Sequence, residues 1–300
     1  MVFLTKVIIL PSFKHHNFML IFNNQDALTA HLHTIRNANA TTGFVPTMGA
    51  LHAGHLSLLA QSVKDNDVTV LSIFVNPTQF NNADDLAKYP RTLDADVAKV
   101  QTVSPDIIIY APTVEDIYGS DAVSQSFDFD GIEHQMEGKF RPGHFDGVGT
   151  IVKRLFEIVN PANAYFGEKD FQQLQIVKKM VSKHKIPVNV VGSPIFREPN
   201  GLAMSSRNER LDAGTRQNAS VIYEALNAAK QQFGTESVSA MRDLVRQMIE
   251  AVEPFKLEYF EVADEATLVP VEKTDNNLKY RAFIAVFAND VRLIDTVSLN

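Results

Sequence analysis

Ten consecutive residues, Pro46-Thr47-Met48-Gly49-Ala50-Leu51-His52-Ala53-Gly54-His55, constrain this chain more than any other segment. They follow a short apolar run at 43–45 and lead into the amphipathic run Leu56, Leu58, Leu59. The pattern predicts a strand, a glycine-bearing turn and a helix start, with two imidazoles three residues apart at the junction. A helix N-terminus presents unpaired backbone N–H groups and a partial positive charge, so such a junction suits phosphate. Gly49 and Gly54 let the backbone approach a ligand closely. His52 and His55 can donate to phosphate oxygens whose charge grows as a pyrophosphate bond breaks. A zinc pair, or two surface histidines, is the plainer alternative. Zinc needs further ligands, and the chain has neither cysteine nor a His-Glu-x-x-His pattern.

The first two-thirds of the chain alternates strand-like and helix-like segments. Strands are expected at 20–22, 43–45, 68–75, 107–110, 164–166 and 188–191, and helices at 25–35, 55–63, 92–103, 148–159 and 171–184. This order, with continuous apolar strands, predicts an α/β fold: a Rossmann-like, doubly wound parallel sheet covered by helices on both faces. Ligands in such sheets sit beyond the carboxyl ends of the strands. After Gly192-Ser193-Pro194 the character changes to a loop, two long helices (214–233 and 238–252) and strands near 257–262, 280–286 and 291–294. The expected organisation is a nucleotide- and substrate-binding domain over 19–193 and a smaller C-terminal α+β lid domain over 194–300.

Residues 1–18 read as a dispensable extension, because Val7-Ile8-Ile9-Leu10 is too short for a signal core and no small-residue cleavage site follows it. Three hundred residues can build two domains with sizeable cores. The net charge of −7 argues against a nucleic-acid partner. No apolar run approaches the ~18 residues of a membrane span, so the expected address is cytoplasmic with no membrane partner. The absence of cysteine excludes disulfides and thiolate chemistry.

Three further clusters carry polar chemistry. Phe74-Val75-Asn76-Pro77-Thr78-Gln79-Phe80 ends the most hydrophobic strand, and Gln79 offers both donor and acceptor to a hydroxy acid. Taken alone, it reads better as a turn fixed by Asn76-Pro77. Phe166-Gly167-Glu168-Lys169-Asp170-Phe171-Gln172-Gln173 joins a strand to a helix. There Asp170 is placed to cap or lead the helix, Lys169 can reach phosphate, and Gln173 sits one turn inside. A solvated cap with a surface lysine is equally open. Gly201-Leu202-Ala203-Met204-Ser205-Ser206-Arg207-Asn208 sets two hydroxyls beside a guanidinium, a phosphate-binding set or an ordinary loop. Asp94 and Asp96 lie two apart and would not share a helix face, so they read as a solvated surface pair and no protein ligand for a metal is assigned.

Together these clusters resemble a family. The His-x-Gly-His turn is similar to the signature of the nucleotidylyltransferase superfamily, and Met204–Arg207 to its mobile phosphate-binding loop. More narrowly, the 46–52 and 74–80 runs, Tyr89-Pro90-Arg91-Thr92, Arg141-Pro142-Gly143-His144-Phe145, Gly167–Asp170 and Gly201–Asn208 resemble the pantothenate synthetase family in its own order, from about Met19 to the C-terminus.

The resemblance implies condensation of pantoate with β-alanine, splitting ATP to AMP and pyrophosphate through a pantoyl-adenylate. Mg²⁺ would arrive with ATP, and the protein would be a homodimer. It places His52 and His55 on the ATP phosphates, with His55 as proton donor or oxyanion stabiliser. It places Met48, Gly49, Leu51, Gly54, Gly167, Glu168, Lys169, Asp170 and the backbone of Phe196 along the nucleotide. Met204, Ser205, Ser206 and Arg207 would grip the phosphates. Gln79 and Gln173, with Pro46 and Thr47, would hold pantoate, and Arg141 and His144 would shape the pocket without a chemical step. The rivals are another nucleotidyltransferase acting on a phosphate acceptor, for which arginines would suit better than two glutamines, and a nucleotide-sensing module without turnover.

Overall fold

The computed structural model describes residues 19–80, 83–275 and 277–300. Apolar runs bounded by turns specify elements most strongly, and the N-terminal half follows that pattern. In chain order it comprises β1 (Ile21–Phe22), α1 (Gln25–Asn37), β2 (Thr42–Thr47), α2 (Ala53–Asp65), β3 (Val68–Ile73), α3 (Ala83–Lys88), α4 (Leu93–Gln101), β4 (Ile108–Tyr110) and α5 (Val114–Tyr118). It continues with α6 (Met136–Phe140), α7 (His144–Val159), β5 (Asn163–Gly167), α8 (Phe171–His184) and β6 (Asn189–Ser193). The dispensable extension expected at 1–18 lies outside the described residues.

All six strands pair in parallel, in the order β1-β4-β3-β2-β5-β6. From β2 the chain winds outward through β3 and β4 on one side, and through β5 and β6 on the other. The reversal falls between β2 and β5, so a crevice opens where the loops after these two strands diverge. Those loops are the ones that carry the His52 and Lys169 clusters.

The strands bury both faces, as period-two alternation requires. Phe44, Val70, Ile108 and Tyr110 face Leu28 and Leu32 of α1 and the apolar side of α7. Val45, Leu71 and Ile109 face Leu58 and Leu59 of α2 and Val100 of α4. Each fully buried aliphatic contributes about 1.5–3 kcal/mol, so the crevice stands on a rigid floor.

The remainder comprises α9 (Ala213–Asn218), α10 (Ser220–Gln232), α11 (Val238–Glu250), β7 (Phe255–Asp264), β8 (Tyr280–Ala288) and β9 (Val291–Ser298). The last three form an antiparallel sheet in the order β7-β8-β9. One face, with Phe260, Val262, Ile284 and Val286, packs on α10 and α11. The other, with Tyr259, Phe283 and Ala285, joins the core of the parallel sheet, where Phe283 meets Phe171 of α8.

Local differences from expectation have local causes. The helix expected over 214–233 is two helices, α9 and α10, meeting at Ala219. Helix α7 starts at His144, four residues before its apolar run, because the left-handed Gly143 (φ 78°) serves as its N-cap. The short helices α3, α5 and α6 carry too few residues to show a period.

Candidate active site

The turn between β2 and α2 is built by two consecutive left-handed residues, Gly49 (φ 82°) and Ala50 (φ 49°). Glycine adopts this conformation freely, whereas alanine loses about 1–2 kcal/mol there. The strain is held by α4. The Asp96 carboxylate, fully buried, accepts from Ala50 N at 2.9 Å and from Leu51 N at 2.7 Å, and also from Thr92 Oγ1 at 3.2 Å. Lys99 Nζ donates to Leu51 O at 2.6 Å. Each charge-assisted bond to a backbone group is worth about 1.5–3 kcal/mol, so the clamp outweighs the strain. The reading of Asp94 and Asp96 as a solvated pair is corrected here: Asp94 is exposed, but Asp96 is buried beneath the turn. Helical spacing separates two residues onto different faces without saying which face meets a loop from another strand.

His52 is the N-cap of α2, and its backbone N–H donates to His55 Nδ1 at 3.3 Å. A neutral His55 therefore carries its proton on Nε2. The two rings stack with centroids 3.9 Å apart. Burial, with Lys169 as the next cause, lowers the His52 pKa to about 4. Burial, then His52, Lys169 and Lys99, holds His55 well below the usual histidine range. Both rings are neutral near pH 7 and act as N–H donors, with the positive charge coming from neighbouring side chains.

After β3, Asn76 is 1% exposed and acts as a hub. Its amide N–H donates to Gln79 Oε1 (3.1 Å) and Gly147 O (3.2 Å), and its Oδ1 accepts from Tyr118 OH (2.6 Å). Gln79 Nε2 donates to Met48 Sδ at 3.1 Å, a weak acceptor that a ligand oxygen can replace. Helix α7 approaches the loop closely at Gly147, where a Cβ would lie 2.4 Å from Thr78 O and 2.8 Å from Gln79 Cα. The His144 ring donates from Nδ1 to Gln79 O at 2.9 Å. Its pKa is lowered to about 4, first by burial and then by Arg141.

Beyond β5, Lys169 Nζ lies 3.7 Å from Asp170 Oδ2. Asp170 occupies the N-cap position of α8, but its side chain makes no capping bond. Neighbouring Gln172 is buried and spends its amide on Ile132 O and Gln135 O, which leaves Gln173 on the open face.

The segment after β6 folds back on itself. Phe196 O accepts from Met204 N, and Ser205 Oγ accepts from Arg207 N at the start of a 3₁₀ turn, Ser206–Arg210. Fully buried Asn208 donates to Glu198 Oε1 (2.7 Å) and Ala203 O (3.1 Å), and Glu198 is clasped by Arg216 at 2.9 and 3.0 Å.

These elements enclose a cleft of about 240 Å³. Of the residues singled out from sequence, Pro46, Thr47, Met48, His52, Gly54 and His55 line it from the first turn, and Gln79 from the loop after β3. Gly167, Lys169, Asp170 and Gln173 line it from the β5–α8 junction, and Phe196 with 204–207 from the far wall. Arg141 and His144 line a smaller neighbouring cavity instead, and three residues assigned to the nucleotide do not line the cleft. Gly49 supplies the turn, Leu51 is buried as its anchor, and Glu168 turns away toward Arg281 at 3.5 Å.

The sequence reading missed the apolar floor: Phe74, Tyr165, Phe166 and the α7 stripe Val148, Ile151, Val152, Leu155. The spacing of that stripe marks one helix face, but its role depends on α7 lying across the crevice.

Residues 20–298 match the family model for pantoate-beta-alanine ligase. The chain belongs to that family. The pantothenate synthetase of Flavobacterium psychrophilum is 59% identical over 281 residues, covering 94% of this chain and all of that one. That of Bacteroides fragilis is 47% identical over 279 residues, 93% of this chain and 98% of that one. The pantothenate synthetase structure from Thermus thermophilus superposes with a TM-score of 0.85 at 39% identity, covering 94% of this chain and 99% of that one. Pantoate-beta-alanine ligase from Francisella tularensis, complexed with beta-gamma ATP and beta-alanine, gives a TM-score of 0.75 at 35% identity over 94% of this chain and 98% of that one.

For a pantoate-beta-alanine ligase the cleft is chemically coherent. Its lining combines cationic and N–H donor groups (Lys169, Arg207, the two imidazoles) with neutral amides (Gln79, Gln173) and an apolar floor.

Proposed function

We propose that this chain condenses pantoate with β-alanine at the expense of ATP, by way of pantoyl-adenylate, in the cleft beyond the carboxyl ends of β2, β3 and β5. The observation that supports the reading is one continuous cavity whose lining brings together cations and N–H donors suited to phosphate and neutral amides suited to a hydroxy acid. Pantoate has two hydroxyls, a carboxylate and a gem-dimethyl carbon. Gln79 and Gln173 suit the polar groups, and Val148, Val152 and Phe74 suit the methyls.

In the first step a pantoate carboxylate oxygen attacks the α-phosphorus, and the bond to pyrophosphate breaks with its electron pair leaving on that group. The protein positions the partners and offsets the growing charge. His55 Nε2–H, His52, Lys169, Arg207 and the hydroxyls of Ser205 and Ser206 serve that end. Neutral imidazoles donate hydrogen bonds there without needing to be imidazolium at pH 7. Met48, Gly54, Gly167, Asp170, Met204 and the Phe196 backbone lie along the nucleotide, with Gly49, Leu51 and Glu168 supporting it from behind. Pro46 and Thr47 flank pantoate. In the second step the amine of β-alanine attacks the acyl carbon and AMP departs, so no nucleophilic side chain is required.

Mg²⁺ enters with the triphosphate. Among the described residues no group of three His, Cys, Asp or Glu side chains is placed to hold a metal, and the Asp96 carboxylate is occupied by backbone N–H groups, so no protein ligand is assigned. Residues 19–193 form the nucleotide- and pantoate-binding domain and 194–300 the lid that shields the anhydride from water. The working form is a cytoplasmic homodimer. No helix among the described residues is long and apolar enough to cross a membrane.

The test is product analysis of the purified protein. Steady AMP formation from ATP is expected only with pantoate and β-alanine together. AMP made without either acid, or ADP as the product, refutes the assignment.

A further inference from the structure

The cleft wall at 204–207 is the end of a short hairpin. Its limbs are joined by Glu198 N to Leu202 O at 2.8 Å and Met204 N to Phe196 O at 2.9 Å, and the chain reverses at Gly201 (φ 95°). This pairing ends at Met204, so the hairpin alone does not fix Ser205, Ser206 and Arg207.

The side chain of Asn208 closes that stretch. Fully buried, its amide donates to Ala203 O at 3.1 Å, just before the stretch, and to Glu198 Oε1 at 2.7 Å on the opposite limb. Residues 204–207 are thereby clipped into a loop at both ends. The loop rests on the start of α2, where a Cβ added to Gly54 would lie 3.6 Å from Met204 Cβ. Tying a short loop through one side chain removes many of the shapes its backbone could otherwise take.

Glu198 anchors the clip from behind. Arg216 of α9 grips its carboxylate through Nε at 2.9 Å and Nη2 at 3.0 Å. Burial works against ionisation there, yet the bonds from Arg216 and Asn208 prevail and hold Glu198 below the usual carboxylate range. The forked cation also offsets a negative charge that would otherwise repel a polyphosphate. Such an offset matters here, because Glu198 is close enough to act on His52, opposing the lowering of its pKa by burial and Lys169. Glu198, Asn208 and Arg216 all stand outside the cleft lining.

We propose that Glu198 is a positioning residue for the adenylyl-transfer step: through Asn208 it holds 204–207 in the shape that meets the polyphosphate. This role rests on the acyl-adenylate reading of the cleft. The two steps ask different things of the loop. In the first, the bond from the α-phosphorus to its bridging oxygen breaks and the electron pair leaves on pyrophosphate, so donors along that group are needed. In the second, the amine attacks the acyl carbon and only the single phosphate of AMP departs. Loosening the clip therefore weakens the first step selectively, and a displacement of about 1 Å in a positioning group can cost about a hundredfold in rate.

The experiment uses the full chain and reads the steps apart. Pantoate-dependent exchange of labelled pyrophosphate into ATP, without amine, follows the first step. Conversion of chemically prepared pantoyl-adenylate and β-alanine to pantothenate follows the second. Glu198→Gln keeps an acceptor for Asn208 but breaks the fork with Arg216, so the ATP KM for exchange should rise by about five- to fiftyfold. The pantoate KM and the second step should stay within about twofold, a split that general loss of structure would not produce. Asn208→Ala should behave alike, and the double variant should be no worse than Asn208→Ala alone, because both break one clip. Ser237→Ala, which removes the side-chain N-cap of remote α11, is the folding control and should lower the melting temperature while sparing both steps. If Asn208→Ala does not fold, Arg216→Gln takes its place and must show the same selective loss. An unchanged ATP KM in the single variants, multiplying effects in the double, or an equal fall in both steps overturns the assignment. Absence of exchange in the parent would instead remove the acyl-adenylate reading, and the positioning role with it.

Discussion

The clamp beneath the phosphate turn makes a quantitative expectation. Asp96→Asn keeps the size and shape of the side chain but removes its charge and one acceptor oxygen. Asp96 now accepts from Ala50 N at 2.9 Å and Leu51 N at 2.7 Å, both bonds to a carboxylate. Asparagine can accept one of these at neutral strength and turns an N–H group toward the other. Losing one charge-assisted bond of about 1.5–3 kcal/mol and weakening its neighbour gives a loss of about 2–4 kcal/mol. At about 2 °C per kcal/mol for a chain of this size, the melting temperature should fall by about 4–8 °C.

The damage should also be selective. Gly49 and Ala50 hold left-handed conformations that set the approach of the chain to His52, so the ATP KM should rise about tenfold while the pantoate KM stays within about twofold. Asp94→Asn, two residues away and exposed, is the control and should shift stability by less than about 0.5 kcal/mol. Denaturant melts and initial-rate kinetics on the three proteins decide the matter. An Asp96→Asn protein as stable as the parent, with its ATP KM unchanged, would show that the turn holds itself and that α4 contributes nothing to the site.

Three further outcomes are expected. Gly147→Ala places a methyl against Thr78 O and Gln79 Cα, so pantoate saturation should weaken at least tenfold with little change in ATP KM; equal weakening of both would detach α7 from Gln79. His144 has a folded pKa near 4 against about 6.5 unfolded, so between those values the unfolded chain binds a proton that the folded chain refuses. Its contribution, about 3 kcal/mol, is complete above pH 6.5 and lost as pH falls toward 4; urea midpoints should track this, and His144→Gln should flatten the slope. Removing residues 1–18 should leave turnover intact, and a folded but inactive truncation would give that segment a role.

Strand and helix order was legible because buried parallel strands read as apolar runs and their covering helices as amphipathic stripes, as in 68–73 and 171–184. The phosphate turn was legible because close backbone approach demands glycine at named places, and His52 and His55 are one helical turn apart. Glu168 shows where such reading stops. It lies inside a motif, yet its side chain leaves the cleft for Arg281, a residue more than a hundred positions later.

What the sequence determined by itself was local: where the chain extends, where it turns, and which side chains bring donors, charge or apolar surface to each turn. Only the tertiary structure decided which of these meet. Asp96 became a buried anchor because α4 packs beneath the β2 turn, and Asn76 became the support of Gln79 because α7 crosses at Gly147. Hydrogen bonds and cavities depend on distances between segments remote in the chain, and residue spacing along one segment carries no record of them.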